Sequence, residues 1–287
     1  MTELKDLETK AVPNWCPGCG NFGIQNAIKK AIVNLNLEPH NVCIVTGIGC
    51  GSKITFWINT YGFNSIHGRS LPVASAVKLA NPELTVIVVG GDGDGYGIGM
   101  GHFVHAMRRN IDITYIVDNN QIYGLTKGQT SPTSEKGTKT KSTPFGVIEK
   151  PVNPLSLALS ADATYVSRGY AGELEHLTKL IENGINHKGF ALIDTFQPCV
   201  TFNKVNTYEF FQKRVSKLEE DSSYDPTNKL KAFEKCNSDT DEYLPIGLFY
   251  KEDRKTYSEE ETGLEKGPIV KHDISNIDIT PLMEKFM

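Results

Sequence analysis

Four cysteines and a glycine–aspartate loop are the residues here whose types and spacing suit chemistry. Trp15-Cys16-Pro17-Gly18-Cys19-Gly20 is a Cys-x-x-Cys pair among turn formers, which aims two thiolates at one centre. A structural zinc normally draws on a second Cys-x-x-Cys or a His pair, and this sequence has neither. A thioredoxin-type redox pair belongs at a strand–helix junction, and no strand pattern precedes Trp15. Two further thiolates sit in turns: Cys50 in Gly47-Ile48-Gly49-Cys50-Gly51, and Cys199 after Pro198. Cys16, Cys19, Cys50 and Cys199 together complete the Cys₄ set of a [4Fe–4S] cluster, the alternative being free thiols at Cys50 and Cys199. Cys43 lies in an apolar run and Cys236 in a charged stretch without turn residues, so both are left out.

The second feature is Val88-Val89-Gly90-Gly91-Asp92-Gly93-Asp94-Gly95. It places acid at the carboxyl end of a strand, the edge of an open α/β sheet where ligands sit. Glycines admit a diphosphate to the backbone, and the following helix turns its N-terminus toward negative charge. A carboxylate there repels phosphate unless a divalent cation lies between, and Mg²⁺ is commonly held by carboxylates plus phosphate oxygens. Asp118-Asn119-Asn120 follows the next strand and can supply a further oxygen. A Rossmann dinucleotide site is disfavoured, because Asp92 occupies the place where phosphate must approach. The bland alternative is an acidic turn with a capping Asn-Asn.

The elements that position these residues alternate. Helix patterns cover 22–33, 70–80, 99–109, 156–161 and 173–186. Buried-strand patterns cover Val42-Cys43-Ile44-Val45, Leu84 to Val89, Ile113 to Val117 and Phe190 to Thr195. The order predicts an α/β fold, a mostly parallel sheet with helices on both faces. Residues 126–143 lack periodicity and read as a long loop. From about 203 the texture turns charged, so two units are expected: 1–202 with the cofactor ligands, and 203–287 as an extension on the core or a partner. Composition fits a globular chain: 287 residues, 39% hydrophobic, 22% charged, net charge −4. That balance argues against a nucleic-acid binder. No run approaches a membrane span, and the charged N-terminus is not a signal peptide, so a cytoplasmic location is expected.

Gly-Asp-Gly followed by a helix, a strand and Asn-Asn resembles the thiamine diphosphate motif. In that pattern the metal ligands map to Asp92, Asn120 and the carbonyl of Ile122. The wider set is more specific. It adds His67-Gly68-Arg69-Ser70-Leu71-Pro72-Val73-Ala74, Asp118 to Gln129, and Gln197-Pro198-Cys199 to the cysteine turns and the glycine loop. In order over about the first 200 residues, these segments resemble the beta subunit of archaeal-type 2-oxoacid:ferredoxin oxidoreductases.

The resemblance implies CoA-dependent oxidative decarboxylation of a 2-oxoacid, with electrons leaving through one [4Fe–4S] cluster to ferredoxin. It implies a thiamine diphosphate-binding fold, Mg²⁺, coenzyme A as co-substrate and a heterodimer. An alpha subunit supplies the pyrimidine side and its activating glutamate. Cofactor contacts are expected at Ile48, Gly49, Cys50, Gly51 and Ser52, at His67 and Gly68, at Gly91, Asp92, Gly93 and Asp94, at Asn120 and Ile122, and at Gly124, Leu125 and Thr126. His67 is a candidate donor to the diphosphate or a satisfied loop histidine, and Arg69 a helix-end charge. Lys53 and Lys127 are candidates for the substrate carboxylate or a phosphate of coenzyme A, against ordinary solvation. Solvation is the default for Lys136, Lys139 and Lys141, and packing for His102 and His105. The competing functions are a non-oxidative thiamine diphosphate decarboxylase or synthase subunit, and a zinc-stabilised scaffold.

Overall fold

In the computed structural model, which describes residues 1–265 and 267–287, the apolar runs form the interior of one sheet. Strands β1 (Val42–Thr46), β3 (Thr85–Gly91), β4 (Ile113–Asn119), β7 (Tyr165–Tyr170) and β8 (Phe190–Phe196) are buried almost throughout. Of the others, β2 (Tyr61–Asn64) is an exposed edge, and β5 (Ile122–Tyr123) and β6 (Gln129–Thr130) form a separate short antiparallel ribbon. The last two are β9 (Val215–Lys217) and β10 (Leu244–Lys251). The eight-stranded sheet has the order β2-β1-β3-β4-β8-β7-β10-β9. Every pairing from β2 to β7 is parallel, and β10 runs antiparallel to β7.

Side chains on a strand alternate, so each strand feeds two cores. Val86, Val88, Tyr115 and Val117 face one core with α2 (Ser70–Ala80), α3 (Met100–Arg108) and α4 (Pro154–Ser160). Ile87, Val89, Ile116 and Ile193 face the other with α1 (Asn21–Asn34) and α5 (Leu174–Asn186). This is the parallel, doubly covered sheet that the apolar runs predict.

The topology decides where a ligand can bind. From β1 the chain moves outward to β2, then returns to β3 on the other side of β1 and continues to β4. The strand order reverses between β1 and β3, and that switch point opens a crevice beyond their carboxyl ends. The Gly47–Ser52 loop leaves β1 there and the Gly91–Gly95 loop leaves β3.

Several elements differ from the sequence expectations. The glycine loop runs into a π-helical turn, Asp94–Ile98, and α3 starts only at Met100. The polar pattern of Tyr165-Val166-Ser167-Arg168-Gly169-Tyr170 gave no strand, yet β7 is central. Residues 203–287 contribute β9, β10, α6 (Tyr208–Gln212) and α7 (Lys229–Cys236), and β10 enlarges the sheet itself. The loop at 126–143 carries β6 and buries Ser131, Thr133 and Ser134. Among the described residues, no helix is long and apolar enough to cross a membrane.

Candidate active site

The cysteine turns are docked on one another by specific contacts. Trp15 packs edge-on against Phe22 (5.2 Å) and Trp57 (4.4 Å), and its Nε1 donates to the Cys50 carbonyl at 2.6 Å. That bond ties the Cys-x-x-Cys turn to the loop after β1. Gly18, at φ +79°, supplies the left-handed residue that the turn needs. Gly20 N–H donates to the Pro198 carbonyl at 3.2 Å, and Gln197 Nε2 donates to Cys19 Sγ at 3.3 Å. A third loop, after β8, is thereby fixed to the first. Cys16, Cys19, Cys50 and Cys199 line one cavity of about 260 Å³, together with Lys53, Lys127 and Gly124. Burial first, then the neighbouring sulfurs and Asp118, pushes the Cys19 thiol up to about 12 and the Cys50 thiol to about 11. Cys43 and Cys236 are buried in the apolar core and line neither this cavity nor the next.

A second cavity, of about 470 Å³, lies at the switch point. Asp92 is buried at its floor, and its Oδ2 accepts from Ser131 Oγ and from Thr133 Oγ1 (2.6 Å). Burial raises its carboxyl and these hydroxyls oppose the rise. Asn120 Oδ1 accepts from the Ile122 N–H at 3.1 Å, folding the chain so that both residues line the pocket. Asp94 Oδ1 accepts from the Ile48 N–H (2.9 Å) and the Gly68 N–H (2.8 Å), stapling two loops, and His67 Nδ1 lies 2.9 Å away. Asp118 Oδ1 is buried without a partner, and burial plus the charges of Asp92 and Asp94 holds its carboxyl well above the usual range. A β-carbon added at Gly49 or Gly91 would meet nothing closer than 3.8 Å and 3.9 Å, so the wall is bare backbone there.

Of the residues singled out in the sequence, Ile48, Gly49, Cys50, His67, Gly91, Asp92, Gly93, Asp94, Asn120, Ile122, Gly124, Leu125 and Thr126 line this pocket. Gly51, Ser52 and Gly68 do not. They sit behind the wall, where Gly51 is pressed against Asp118: a β-carbon on it would fall 2.2 Å from Asp118 Oδ2. Lys53 faces the cysteines instead, with Nζ on Asn14 Oδ1 at 3.2 Å. Lys127 also lines the cysteine cavity and is held at φ +74°, an unfavourable conformation for a side-chain-bearing residue. It shares a third cavity, about 600 Å³, with Lys139, Lys141 and Lys204. Tyr123 and Gln129 line the pocket but drew no role from the sequence, and Asp118, named there within the Asp118-Asn119-Asn120 run that can supply an oxygen, lines it as well.

The two cavities meet. Cys50, Asn120, Gly124 and Leu125 belong to both. A β-carbon at Gly124 would stand 3.5 Å from Cys199 Sγ and 3.7 Å from Cys50 Sγ, which makes Gly124 the partition.

Comparison with known proteins agrees with this geometry. Residues 47–195 match the thiamine pyrophosphate enzyme, C-terminal TPP binding domain. Residues 199–266 match the C-terminal family of the pyruvate ferredoxin oxidoreductase beta subunit. The chain is 51% identical to the 2-oxoacid:ferredoxin oxidoreductase subunit beta of Saccharolobus solfataricus, over 83% of this chain and 81% of that one. It is 46% identical to subunit beta of 2-oxoacid:ferredoxin oxidoreductase 1 of Aeropyrum pernix, over 89% and 83%. This chain belongs to the 2-oxoacid:ferredoxin oxidoreductase beta-subunit family.

The fold of this beta subunit also matches a solved 2-oxoglutarate:ferredoxin oxidoreductase from Magnetococcus marinus, determined with 2-oxoglutarate, coenzyme A and succinyl-CoA bound. The TM-score is 0.91 at 35% identity, covering 100% of this chain and 96% of that one. The beta subunit is thus part of an oxidoreductase that acts on 2-oxoacids, and the non-oxidative and scaffold alternatives fall away.

Proposed function

We propose that this beta subunit holds the diphosphate end of thiamine diphosphate through Mg²⁺ on Asp92, Asn120 and the Ile122 carbonyl, and that Cys16, Cys19, Cys50 and Cys199 hold one [4Fe–4S] cluster. The observation that carries this reading is the shared wall: Cys50 lines the carboxylate pocket and the cysteine cavity at once.

The donor sets fit the groups. Asp92, Asn120 and a backbone carbonyl are hard oxygen donors, and Mg²⁺ takes one or two carboxylates plus phosphate oxygens. Its charge offsets the buried acids around the pocket. Zinc–thiolate bonds of about 2.3 Å would draw four sulfurs around one point. Among the described residues, no group of three or more His, Cys, Asp or Glu side chains is gathered for a single ion. The cysteines instead ring a cavity, as a larger inorganic cage requires. The raised Cys19 and Cys50 thiols favour the protonated state, so cluster binding there releases protons.

Thiamine diphosphate supplies the carbanion-stabilising chemistry of 2-oxoacid decarboxylation. This chain's residues bind and orient. His67 faces the diphosphate, with its Nδ1 beside Asp94 Oδ1. The Ile48-Gly49 backbone leaves room for close approach, and Cys50, lining both cavities, would hold a one-electron acceptor on the wall of the thiamine pocket. Lys127 meets the substrate carboxylate or, with Lys139 and Lys141, the phosphates of coenzyme A; Lys53 supports the cysteine side. An alpha subunit supplies the pyrimidine side and its activating glutamate, and ferredoxin takes the electrons. We assign residues 1–202 to the cofactors and 203–287 to packing on the core and the partner. Exposed Ile269, Val270, Ile274, Ile277 and Leu282 support partner contact at the end of the chain. Six free cysteines support a reducing cytoplasmic location.

Co-expression with the alpha subunit tests this. The pair is expected to reduce a dye with 2-oxoacid, dependent on coenzyme A. Reduction without coenzyme A dependence, or none from an assembled pair, contradicts it.

A further inference from the structure

Behind the Asp92 carboxylate runs a buried polar chain that reaches the C-terminal segment. Thr133 Oγ1 lies 2.6 Å from Asp92 Oδ2 and 2.9 Å from Asn119 Oδ1. Asn119 Nδ2 donates to both oxygens of Asp194, at 3.1 Å and 3.3 Å, and Tyr96 OH donates to Asp194 Oδ1 at 2.9 Å. Arg168 Nε is 3.7 Å from Asp194 Oδ2, and Arg168 Nη1 donates to both oxygens of Asp239 at 2.9 Å. The Arg168 guanidinium lies over the Phe196 ring at 4.7 Å. Asp92, Asn119, Thr133, Arg168 and Asp194 are all at most 5% exposed.

This chain has a direction. Asp194 can only accept, so it fixes the Asn119 amide with nitrogen toward itself and oxygen toward Thr133. Thr133 has one proton and two acceptors in reach, and the ionised carboxylate makes the stronger, shorter bond. Ser131 donates to the same oxygen of Asp92, so both hydroxyls converge on Oδ2. Among the described residues, no side chain donates to Oδ1, and the Asp92 and Gly93 amides face the same carboxylate. A carboxylate free to rotate would present either oxygen; this one is held.

We propose that Thr133, Asn119 and the Asp194–Arg168 pair are positioning residues for Asp92, presenting its Oδ1 to the divalent cation. The inference rests on the reading of Asp92 as a metal ligand. None of these residues touches the cation or substrate. Outer partners that orient a metal ligand typically change affinity by about 10–100-fold.

The test is Mn²⁺ binding, read by electron paramagnetic resonance, to the assembled alpha–beta complex with thiamine diphosphate present. Thr133→Val keeps shape and removes the hydroxyl. It is expected to weaken Mn²⁺ at least about tenfold in a complex that still assembles, with a melting temperature lowered by the lost buried hydrogen bonds, and Thr133→Ser is expected to restore affinity. Asp194→Asn is expected to weaken it less, and to add nothing in the Thr133→Val background, since both act through one path. Asp92→Asn separates the two levels. If Asp92→Asn abolishes tight Mn²⁺ while Thr133→Val binds as wild type, or if the Thr133 and Asp194 effects add, the positioning role is overturned and the metal site stands. If Asp92→Asn binds Mn²⁺ normally, the metal-site reading itself fails.

Discussion

The two cavities that share Cys50 are built on opposite terms. On the carboxylate side most polar groups are already engaged: Asp92 by Ser131 and Thr133, Asp94 Oδ1 by the Ile48 and Gly68 amides, Asn120 by the Ile122 amide, with Asp118 Oδ1 left without a partner. On the cysteine side the sulfurs have little to bond with. Gln197 donates to Cys19, and burial leaves Cys19 and Cys50 as thiols at neutral pH. The difference teaches that the carboxylate pocket is organised by the fold but carries buried acid for a cation to offset, whereas the cysteine cavity holds neutral thiols that must lose protons before they could ligate a metal. Pre-organised donors lose little on binding, and unpaired thiols gain most from it.

The largest expected effect lies in the thiols of complex stripped of iron. With the ordinary thiol at 9.0, Cys50 at about 11 and Cys19 at about 12 carry thiolate fractions at pH 8 lower by about 100-fold and about 1000-fold. Iodoacetamide labelling followed by peptide mass spectrometry is expected to show that order, rising tenfold per pH unit below each value. Equal rates at both cysteines and a free thiol would break the contrast. Next, Cys50→Ser in the holocomplex should cut dye reduction below about one hundredth, beyond the range of outer-partner changes, while thiamine diphosphate still binds. Loss of thiamine binding with the activity would show the cavities to be one site.

Asp92→Asn probes the other side. Replacing the charged metal ligand by a neutral amide should cost Mg²⁺-dependent thiamine diphosphate affinity about 100-fold, at or beyond the upper end of what an outer partner costs. Iron content should stay at wild-type level. The smallest effect is expected at the seam: Gly51→Ala forces a β-carbon against Asp118 and should cost about 1–3 kcal/mol in urea unfolding. A neutral result would mean that the Cys50 loop is looser than its contacts indicate.

The same contrast explains what could be read from the sequence. Asp92, Asn120 and Cys16 to Cys19 announce themselves because their chemistry is local, set by glycine turns at strand ends. The parallel sheet was legible for a similar reason, since buried strands are continuous apolar runs. Cys50 and Cys199 required only that their turns come together. Ser131 and Thr133 gave no signal: they lie in a polar stretch without periodicity, and only the fold brings them to Asp92. Strand β7 was hidden by its polar residues, because Arg168 is buried through partners at 194 and 239 that sequence spacing does not pair. Lys53, a candidate for the substrate carboxylate or for ordinary solvation, is placed by the 3₁₀ turn after Cys50 on the cysteine cavity, a direction that spacing along the chain does not give.

Metal chemistry in the cysteine cavity, beside the thiamine pocket, is the claim on which the rest stands. Its most direct test is iron and acid-labile sulfide analysis of anaerobically purified alpha–beta complex, with and without Cys199→Ser in the beta chain. Four iron and four sulfide per beta chain, dependent on Cys199, are expected. Zinc in place of iron, or iron and sulfide that the substitution leaves unchanged, would contradict it.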